Sequence, residues 1–197
     1  MNESAKPRFL LILSLLFGLV GCSGAKEEPP LAGASLGGRF TLIDHEGRTV
    51  TDRDFAGRYR IAYFGFAHCP DVCPTDLAVI GQALRRFEES DPKRAARLAP
   101  TFITVDPERD TPKVLKDYVA AFHPKIVGLT GSPQQIADVA KGHAVYYQKG
   151  DPSLGGGYNM NHSRIVILFG PKGEPIALLP YDRGSEAVAA ELRRWVT

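Results

Sequence analysis

The chain has 197 residues, and its 24 lysines and arginines nearly balance its 22 aspartates and glutamates, which gives a formal net charge of +2. A balance this even lacks the basic excess typical of nucleic-acid-binding proteins, so no nucleic-acid partner is indicated. About 160 residues remain once an N-terminal leader and a linker are set aside, which is the size of one domain. Of the three cysteines, two fall inside that domain.

The first 21 residues predict a targeting signal. Lys6 and Arg8 precede an apolar stretch, residues 9–20, that is too short to span a bilayer. Leu19-Val20-Gly21-Cys22 follows, and this combination resembles a bacterial lipoprotein signal, in which cleavage leaves lipid on Cys22. An ordinary signal peptide with an incidental cysteine is the alternative. We therefore expect an exported protein that is lipid-anchored to a membrane, with its domain in the periplasm or otherwise outside the cytoplasmic membrane.

A tether is predicted for residues 22–38, because Gly24 to Gly38 is rich in small residues and lacks apolar periodicity. The folded domain is then predicted to span residues 39–197. At its entrance, Arg39-Phe40-Thr41-Leu42-Ile43 and Thr49-Val50 flank a polar turn and predict a small hairpin.

A buried central strand is predicted for Arg60 to Phe66, which is almost wholly apolar. A helix follows, and we expect it to begin at Pro74 because proline biases the residue before it away from helical angles. The helix carries one apolar stripe at three- and four-residue spacing, formed by Leu77, Ile80, Leu84 and Phe87. Cys69 and Cys73 would lie on the turn between this strand and this helix.

The rest of the chain continues the alternation of strands and helices. Further strands are predicted at Thr101 to Val105, Arg164 to Phe169 and Pro175 to Leu179, with helices after Thr111-Pro112, after Ser132-Pro133 and from about Ser185. This order predicts a thioredoxin-like α/β fold with an added N-terminal β-hairpin and an extra helix near residues 133–141. Open α/β sheets place their sites beyond the carboxyl ends of strands, and Cys69 follows such an end.

Three explanations compete for the Cys-x-x-x-Cys pair. A structural disulfide is the least favoured, because it would close a very short loop in a domain large enough to fold without a staple. Thiol-disulfide exchange is the second, since the dipole of the following helix should favour a thiolate. Metal binding is the third and requires a further donor. All three suit an exported protein, in which thiols meet oxidising conditions.

His162 is the candidate third donor. Thioredoxin-like reductases usually place a cis-proline opposite the cysteines, but residues 153–170 contain no proline. In such a fold His162 would arrive near that position. Two thiolates suit Cu(I), and an imidazole adds a third ligand for Cu(I) or a nitrogen donor that Cu(II) accepts. Structural zinc usually has four protein ligands, so three donors fit zinc less well.

Three stretches together resemble the signature motifs of the Sco/SenC family. They are Cys69-Pro70-Asp71-Val72-Cys73-Pro74-Thr75-Asp76-Leu77, Thr104-Val105-Asp106-Pro107-Glu108-Arg109-Asp110-Thr111-Pro112 and Asn161-His162-Ser163. The resemblance covers roughly residues 36–197. It implies a membrane-tethered, thioredoxin-like copper-binding protein that helps to assemble the binuclear copper centre of cytochrome c oxidase.

The resemblance also implies the site and its partners. Cys69, Cys73 and His162 would bind one copper ion per chain, as Cu(I), Cu(II) or both. The expected partners are the copper-binding subunit of the oxidase, an upstream periplasmic copper donor and the membrane. A metallochaperone is favoured over an enzyme. The alternatives are a thiol-disulfide oxidoreductase that reduces the copper-binding cysteines of the oxidase subunit, with Cys69 and Cys73 as catalytic residues, and a redox sensor. The two cysteines would form a disulfide when oxidised.

Several neighbouring residues require separate interpretation. The residue before the histidine is commonly aspartate in the family and is Asn161 here, which removes a charge that could orient the imidazole. Asp106 is expected to cap the turn that follows it. His68 adjoins Cys69 but is expected to point elsewhere, and a glycine run at residues 155–157 is expected to leave the approach to His162 mobile. The remaining histidines, His45, His123 and His143, have no evident partner in the sequence.

Overall fold

The computed structural model describes residues 27–152 and 157–197. The predicted signal peptide, lipidation at Cys22 and the first part of the tether lie outside the described residues. So do Gly155 and Gly156 of the glycine run.

A seven-stranded sheet forms the centre of the described part of the chain, and a separate two-stranded hairpin lies beside it. The strands are β1 (Thr41–Asp44), β2 (Thr49–Thr51), β3 (Tyr59–Gly65), β4 (Leu98–Thr104), β5 (Val127–Thr130), β6 (Tyr147–Pro152), β7 (Tyr158–His162), β8 (Val166–Phe169) and β9 (Pro175–Leu178). The large sheet has the order β2-β1-β5-β4-β3-β8-β9, with β3, β4 and β5 parallel and the outer strands antiparallel to their neighbours. Among the described strands, β6 and β7 pair only with each other.

Helices cover the sheet. They are α1 (Val72–Ser90), α2 (Pro92–Ala95), α3 (Pro112–Ala120), α4 (Pro133–Gly142) and α5 (Ser185–Trp195), and short 3-10 turns lie at Asp52–Phe55 and Tyr181–Arg183. The fold confirms the predicted N-terminal hairpin and the extra helix near residue 133.

Every residue of β3 is buried, as its apolar run predicts. Successive side chains of a strand point to opposite faces, and here they enter two separate cores. Ile61 and Tyr63 pack with α1, α3 and α5 on one face. Ala62 and Phe64 pack with α4 and with Cys73 on the other. The sheet is therefore a middle layer between two apolar layers.

The two predicted Ser/Thr-Pro caps are present. The Thr111 hydroxyl accepts a hydrogen bond from the amide of Val114 at the start of α3. The Ser132 hydroxyl accepts from the amide of Gln135, while the Gln135 side chain accepts from the amide of Ser132, which completes a capping box at α4.

The predicted start of α1 is wrong by two residues. The helix begins at Val72, so Cys73 lies in its first turn. Pro74 is tolerated there because the first four amides of a helix have no partner within it, and the missing N–H costs no helical hydrogen bond.

Part of the segment predicted as a tether packs on the domain. The Leu31 amide donates to the carbonyl of Ile176, and the Gly37 amide donates to the carbonyl of Gly142. Leu31 and Leu36 contact the apolar core on the α4 face. Among the described helices, none combines the length and apolarity that a membrane span requires.

Candidate metal centre

Cys69 and Cys73 lie at the junction between β3 and α1, beyond the carboxyl end of the central strand. Both are free thiols, with Cys73 fully buried and Cys69 partly exposed. The backbone amide of Cys73 donates to the sulfur of Cys69 at 3.4 Å. The start of α1 therefore positions the partly exposed thiol of Cys69 beside the buried thiol of Cys73.

His162 ends β7 and faces the buried thiol. Its Nε2 lies 3.4 Å from the Cys73 sulfur, and its Nδ1 donates to the carbonyl of Ser163 at 3.0 Å. Burial lowers the pKa of His162 below its ordinary value, which favours the neutral ring. Because Nδ1 carries the proton, the lone pair on Nε2 is directed at Cys73. The edge-to-face contact with Phe66 fixes the plane of the ring.

The thiol of Cys73 does not have the lowered pKa that the helix dipole predicts. Burial raises its pKa to about 12. The prediction that the helix dipole favours a thiolate is therefore wrong for Cys73. A helix N-terminus contributes about 0.3–1 kcal/mol to a nearby anion, whereas removing a charge from water costs more. In the metal-free protein Cys73 is therefore a neutral S–H that can donate to His162.

A polar cluster lies near Cys73, in which Tyr63 and Asp76 are buried and Arg164 is partly exposed. The Tyr63 hydroxyl donates to Asp76 at 2.8 Å, and the Arg164 guanidinium donates to both oxygens of the same carboxylate. Asp76 belongs to α1 and Arg164 follows β7, so this ion pair joins the helix of the cysteines to the strand of the histidine. The sequence prediction missed it, although an aspartate next to Leu77 in the apolar stripe was a usable signal.

Asp106 does not cap the turn with its side chain as expected. Its carboxylate, which is almost fully buried, accepts from the side chain of Arg109 and from the Tyr158 hydroxyl at 2.8 Å. The guanidinium of Arg109 stacks on the Tyr158 ring, 3.7 Å from its centroid. These contacts tie the β6–β7 hairpin, which carries His162, to the loop after β4.

His68 is turned away from the cysteines. Its Nδ1 lies 3.1 Å from Asp110, a buried carboxylate that also accepts from the Ala67 amide and from Thr104. The other histidines have partners far from the site, with His45 bonded to Gly128, His123 to Glu88 and His143 to Arg60.

The predicted ligands are only partly brought together. Cys73 and His162 are in contact, whereas the Cys69 sulfur is engaged by the Cys73 amide. No group of three His, Cys, Asp or Glu side chains within residues 27–152 and 157–197 has the spacing of a metal site as it stands. Asn161 is exposed and, by strand alternation, lies on the opposite face of β7 from His162. The Ser163 carbonyl, not residue 161, orients the imidazole.

Comparison with known proteins places this arrangement in a family. A model of the SCO1/SenC family matches residues 28–197. The chain belongs to the SCO1/SenC family. Among relatives, it is 42% identical to the Arabidopsis thaliana "Protein SCO1 homolog 1, mitochondrial" over 75% of this chain and 43% of that protein. It is 38% identical to the human "Protein SCO1 homolog, mitochondrial" over 80% of this chain and 52% of the relative. The chain thus spans about half the length of these relatives.

Solved structures of SCO1/SenC proteins superpose closely on this one. Bradyrhizobium japonicum ScoI with copper bound is 39% identical, with a TM-score of 0.73, over 81% of this chain and 99% of that one. Yeast Sco1 with copper bound is 36% identical, with a TM-score of 0.74, over 82% and 88%. A thioredoxin domain from Bacteroides vulgatus, 16% identical with a TM-score of 0.57 over 83% and 96% of the two chains, supports the fold alone. The predicted thioredoxin-like fold is confirmed.

Proposed function

We propose that this protein is a lipid-anchored copper chaperone that takes part in cytochrome c oxidase assembly. It holds one copper ion with Cys69, Cys73 and His162 and passes the ion to the copper-binding subunit of the oxidase by ligand exchange. The observation that carries the proposal is the contact of 3.4 Å between the Cys73 sulfur and His162 Nε2. Two relatives with 36–39% identity have been solved with copper bound, which supports copper as the ion.

The three donors have separate roles in this proposal. Two thiolates and a neutral imidazole form a soft ligand set that suits Cu(I), while the nitrogen also serves Cu(II). Cys73 and His162 are already in contact, and Cys69 completes the site by turning its sulfur toward them, a movement that need not break its hydrogen bond from the Cys73 amide. Because Cys69 is partly exposed whereas Cys73 is fully buried, Cys69 is the thiolate that an incoming thiolate from the oxidase subunit would replace first.

The test is an anaerobic Cu(I) titration of the reduced protein against a competing chelator. We expect wild type to bind one equivalent, and Cys69→Ser and His162→Ala each to weaken binding by about tenfold or more, which corresponds to about 1.4 kcal/mol. The matched control is His68→Ala, which removes an imidazole beside Cys69 that is turned to Asp110 and should leave affinity unchanged. An affinity that is indifferent to His162 would refute the site.

A second candidate function is reduction of a disulfide in the oxidase subunit. It is favoured by one observation, which is that the accessible Cys69 sulfur accepts a hydrogen bond from an amide at a helix start, a position that activates an attacking thiol. The Cys69 thiolate would attack the partner's disulfide and release one partner thiolate. Cys73 would then displace the second partner thiolate and form the Cys69–Cys73 disulfide.

This candidate is tested by mixing the Cys73→Ser variant with the oxidised oxidase subunit. A reductase leaves a mixed disulfide between Cys69 and the subunit, because the second thiol needed to resolve it is missing. Recovery of both proteins without a mixed disulfide would rule out the reductase function and leave copper delivery as the remaining candidate.

A further inference from the structure

A cationic cavity lies at the opposite end of β3 from the cysteines. It has a volume of about 340 Å³ and is walled by the chain entering β1, the 3-10 turn at Asp52–Phe55, the start of β3 and the loop between β8 and β9. A cavity needs only ~10–15 Å³ to hold one water, so this one has room for an anion of several heavy atoms. Arg60 and Gly65 are separated by roughly 17 Å along the strand, which keeps this cavity apart from the metal centre.

Positive charge dominates the wall of the cavity. Its ionisable side chains are Arg39, Arg53, Arg58, Arg60, Lys172 and one carboxylate, Asp52. The Asp52 side chain accepts from the amide of Phe40, and no ion pair joins it to any of these cations in the described part of the chain. The wall therefore presents five cations and one anion, and it favours a ligand with more than one negative charge.

Arg60 is the residue that distinguishes this cavity from an ordinary basic surface. It is only 5% exposed, and its guanidinium lies against two aromatic rings, with the Phe169 centroid at 4.4 Å and the Phe40 centroid at 5.3 Å. Its Nη2 bonds His143 Nε2 at 3.2 Å, while Nη1 has no hydrogen-bond partner among the described residues. Only the edge of the guanidinium remains for a ligand.

The partner of Arg60 supplies no compensating charge. His143 donates from Nδ1 to the carbonyl of Val139 at 2.7 Å, so its Nε2 is an acceptor on a neutral ring. Burial and the charge of Arg60 lower the pKa of His143 to about 4, consistent with that assignment. The charge of Asp52 acts favourably on Arg60 but forms no salt bridge with it among the described residues. Burying a charge costs several kcal/mol, and an anion in the adjoining cavity would offset the part of that cost that Asp52 leaves.

We propose that this cavity binds a phosphate group. Guanidinium forks match the oxygens of phosphate, and Arg is the preferred residue where such groups are bound. Nη1 is buried and has no partner among the described residues, and Arg60 lines the cavity, so we expect a small shift of the side chain to bring this donor to a bound phosphate. The predicted tether ends at Gly38, which lines the cavity, so the phosphate of a membrane lipid head group and free phosphate are the two sources to distinguish. The proposal is independent of the function proposed for the cysteines.

The test is calorimetric titration of the full chain in detergent with inorganic phosphate, at an ionic strength held constant with chloride. We expect saturable binding by wild type that is at least about tenfold weaker in Arg60→Met. That substitution removes a buried charge and keeps an apolar side chain of similar length, so the fold should keep its thermal stability. Arg39→Gln, at an exposed position, provides a second variant and should weaken binding about twofold to fivefold.

The matched control is Lys113→Gln, which makes the same change in net charge on α3, far from the cavity, at a side chain that is 88% exposed. Its phosphate affinity should equal that of wild type. Equal affinities in all four proteins, or no saturable binding of any phosphate compound, would overturn the proposal.

The source is distinguished with dihexanoyl phosphatidylglycerol and dihexanoyl phosphatidylcholine as probes in the same titration. Arg60-dependent binding of phosphatidylglycerol but not of inorganic phosphate assigns the cavity to an anionic lipid head group. Arg60-dependent binding of inorganic phosphate alone assigns it to a free oxyanion. A third outcome would count against a phosphate site. In it, each lipid binds wild type and Arg60→Met with the same affinity, and neither protein binds inorganic phosphate.

Discussion

At the scale of single residues, the candidate metal centre depends on a balance between burial and charge. The Cys73 thiol and the His162 ring are both desolvated, and in both cases burial favours the neutral form. A neutral imidazole is ready to bind a metal, whereas a neutral thiol must first lose its proton. The two residues that contact one another thus respond to pH in different ways.

The pH dependence of Cu(I) affinity follows from this difference. The metal binds the thiolate, and the pKa of Cys73 is raised to about 12, so copper must displace a proton from this residue throughout the neutral range. We expect affinity to rise with pH by about tenfold per unit for that proton between about pH 6 and pH 8. Burial lowers the pKa of His162, so displacement of a proton from this ring, which would act in the same direction, adds little to the slope. Competition titrations at several pH values measure the slope, and a flat profile would contradict a protonated Cys73.

Gly65 shows how closely the backbone approaches the metal centre. A Cβ at this position would lie 2.9 Å from Phe102 and 3.1 Å from the Cys73 sulfur. We expect Gly65→Ala to destabilise the fold by about 1–3 kcal/mol and also to weaken Cu(I) binding, because the sulfur must move. Urea unfolding and copper titration measure the two effects.

Gly128→Ala is the control for that substitution. Its Cβ would lie 2.9 Å from Leu115 in the same sheet but far from the cysteines, so it should cost similar stability and leave copper affinity intact. A loss of affinity in both variants would attribute the effect to general destabilisation.

At the scale of elements, the sequence predicted best those helices and strands whose burial or caps produce a regular residue pattern. β3 and the apolar stripe of α1 were predicted because their residues are uniformly or periodically apolar, and α3 and α4 because Ser/Thr-Pro caps mark their starts. β6 and β7 were missed because they form a half-exposed hairpin with polar residues outside the main sheet. The Asp76–Arg164 pair was missed because the apolar neighbours of Asp76 indicate that it is buried but do not indicate which residue, 88 positions away, it pairs with.

The β6–β7 hairpin matters to function because it carries His162. In the part of the chain that the structure describes, it pairs with no strand of the large sheet, so side-chain contacts such as Tyr158 to Asp106 hold it near the cysteines. Tyr158→Phe removes one hydroxyl and keeps the ring that Arg109 and Lys149 cover. We expect a loss of about 1 kcal/mol in the local free energy of opening, seen as faster amide hydrogen exchange in β7.

The matched control for the hairpin is Tyr146→Phe. Tyr146 is 61% exposed and its hydroxyl bonds only Gln148 of the same hairpin in the described residues. Exchange in β7 should stay at the wild-type rate in this variant. Similar acceleration in both would show that the link to Asp106 does not hold the hairpin.

At the scale of the whole molecule, the two ends of β3 carry different chemistry. The carboxyl end presents Cys69 and Cys73, and the amino end presents the cationic cavity beside the arriving N-terminal segment. A lipid anchor ahead of that segment would leave the cysteine end free to meet a partner. The segment itself is part of the fold, since Leu31 and Leu36 pack on the core that also contains Cys73.

The contribution of this segment is measurable by shortening the chain. A protein that begins at residue 39 loses the contacts of Leu31 and Leu36 and the hydrogen bond from Leu31 to Ile176. Full burial of a leucine side chain is worth about 1.5–3 kcal/mol, and these two are only partly buried, so we expect a loss of about 2 kcal/mol relative to a chain that begins at residue 27. The midpoint of urea unfolding measures it.

The ion pair between Glu27 and Arg194 provides the control for that comparison. Both side chains are about half exposed, and exposed pairs contribute about 0–1 kcal/mol, so Glu27→Gln in the longer chain should shift the midpoint little. Leu31→Ala in the longer chain should reproduce a large part of the stability loss caused by truncation, because the apolar contact and not the charge anchors the segment. Equal stability of the two chain lengths would instead show that residues 27–38 lie on the domain without stabilising it, as the tether predicted from their composition would.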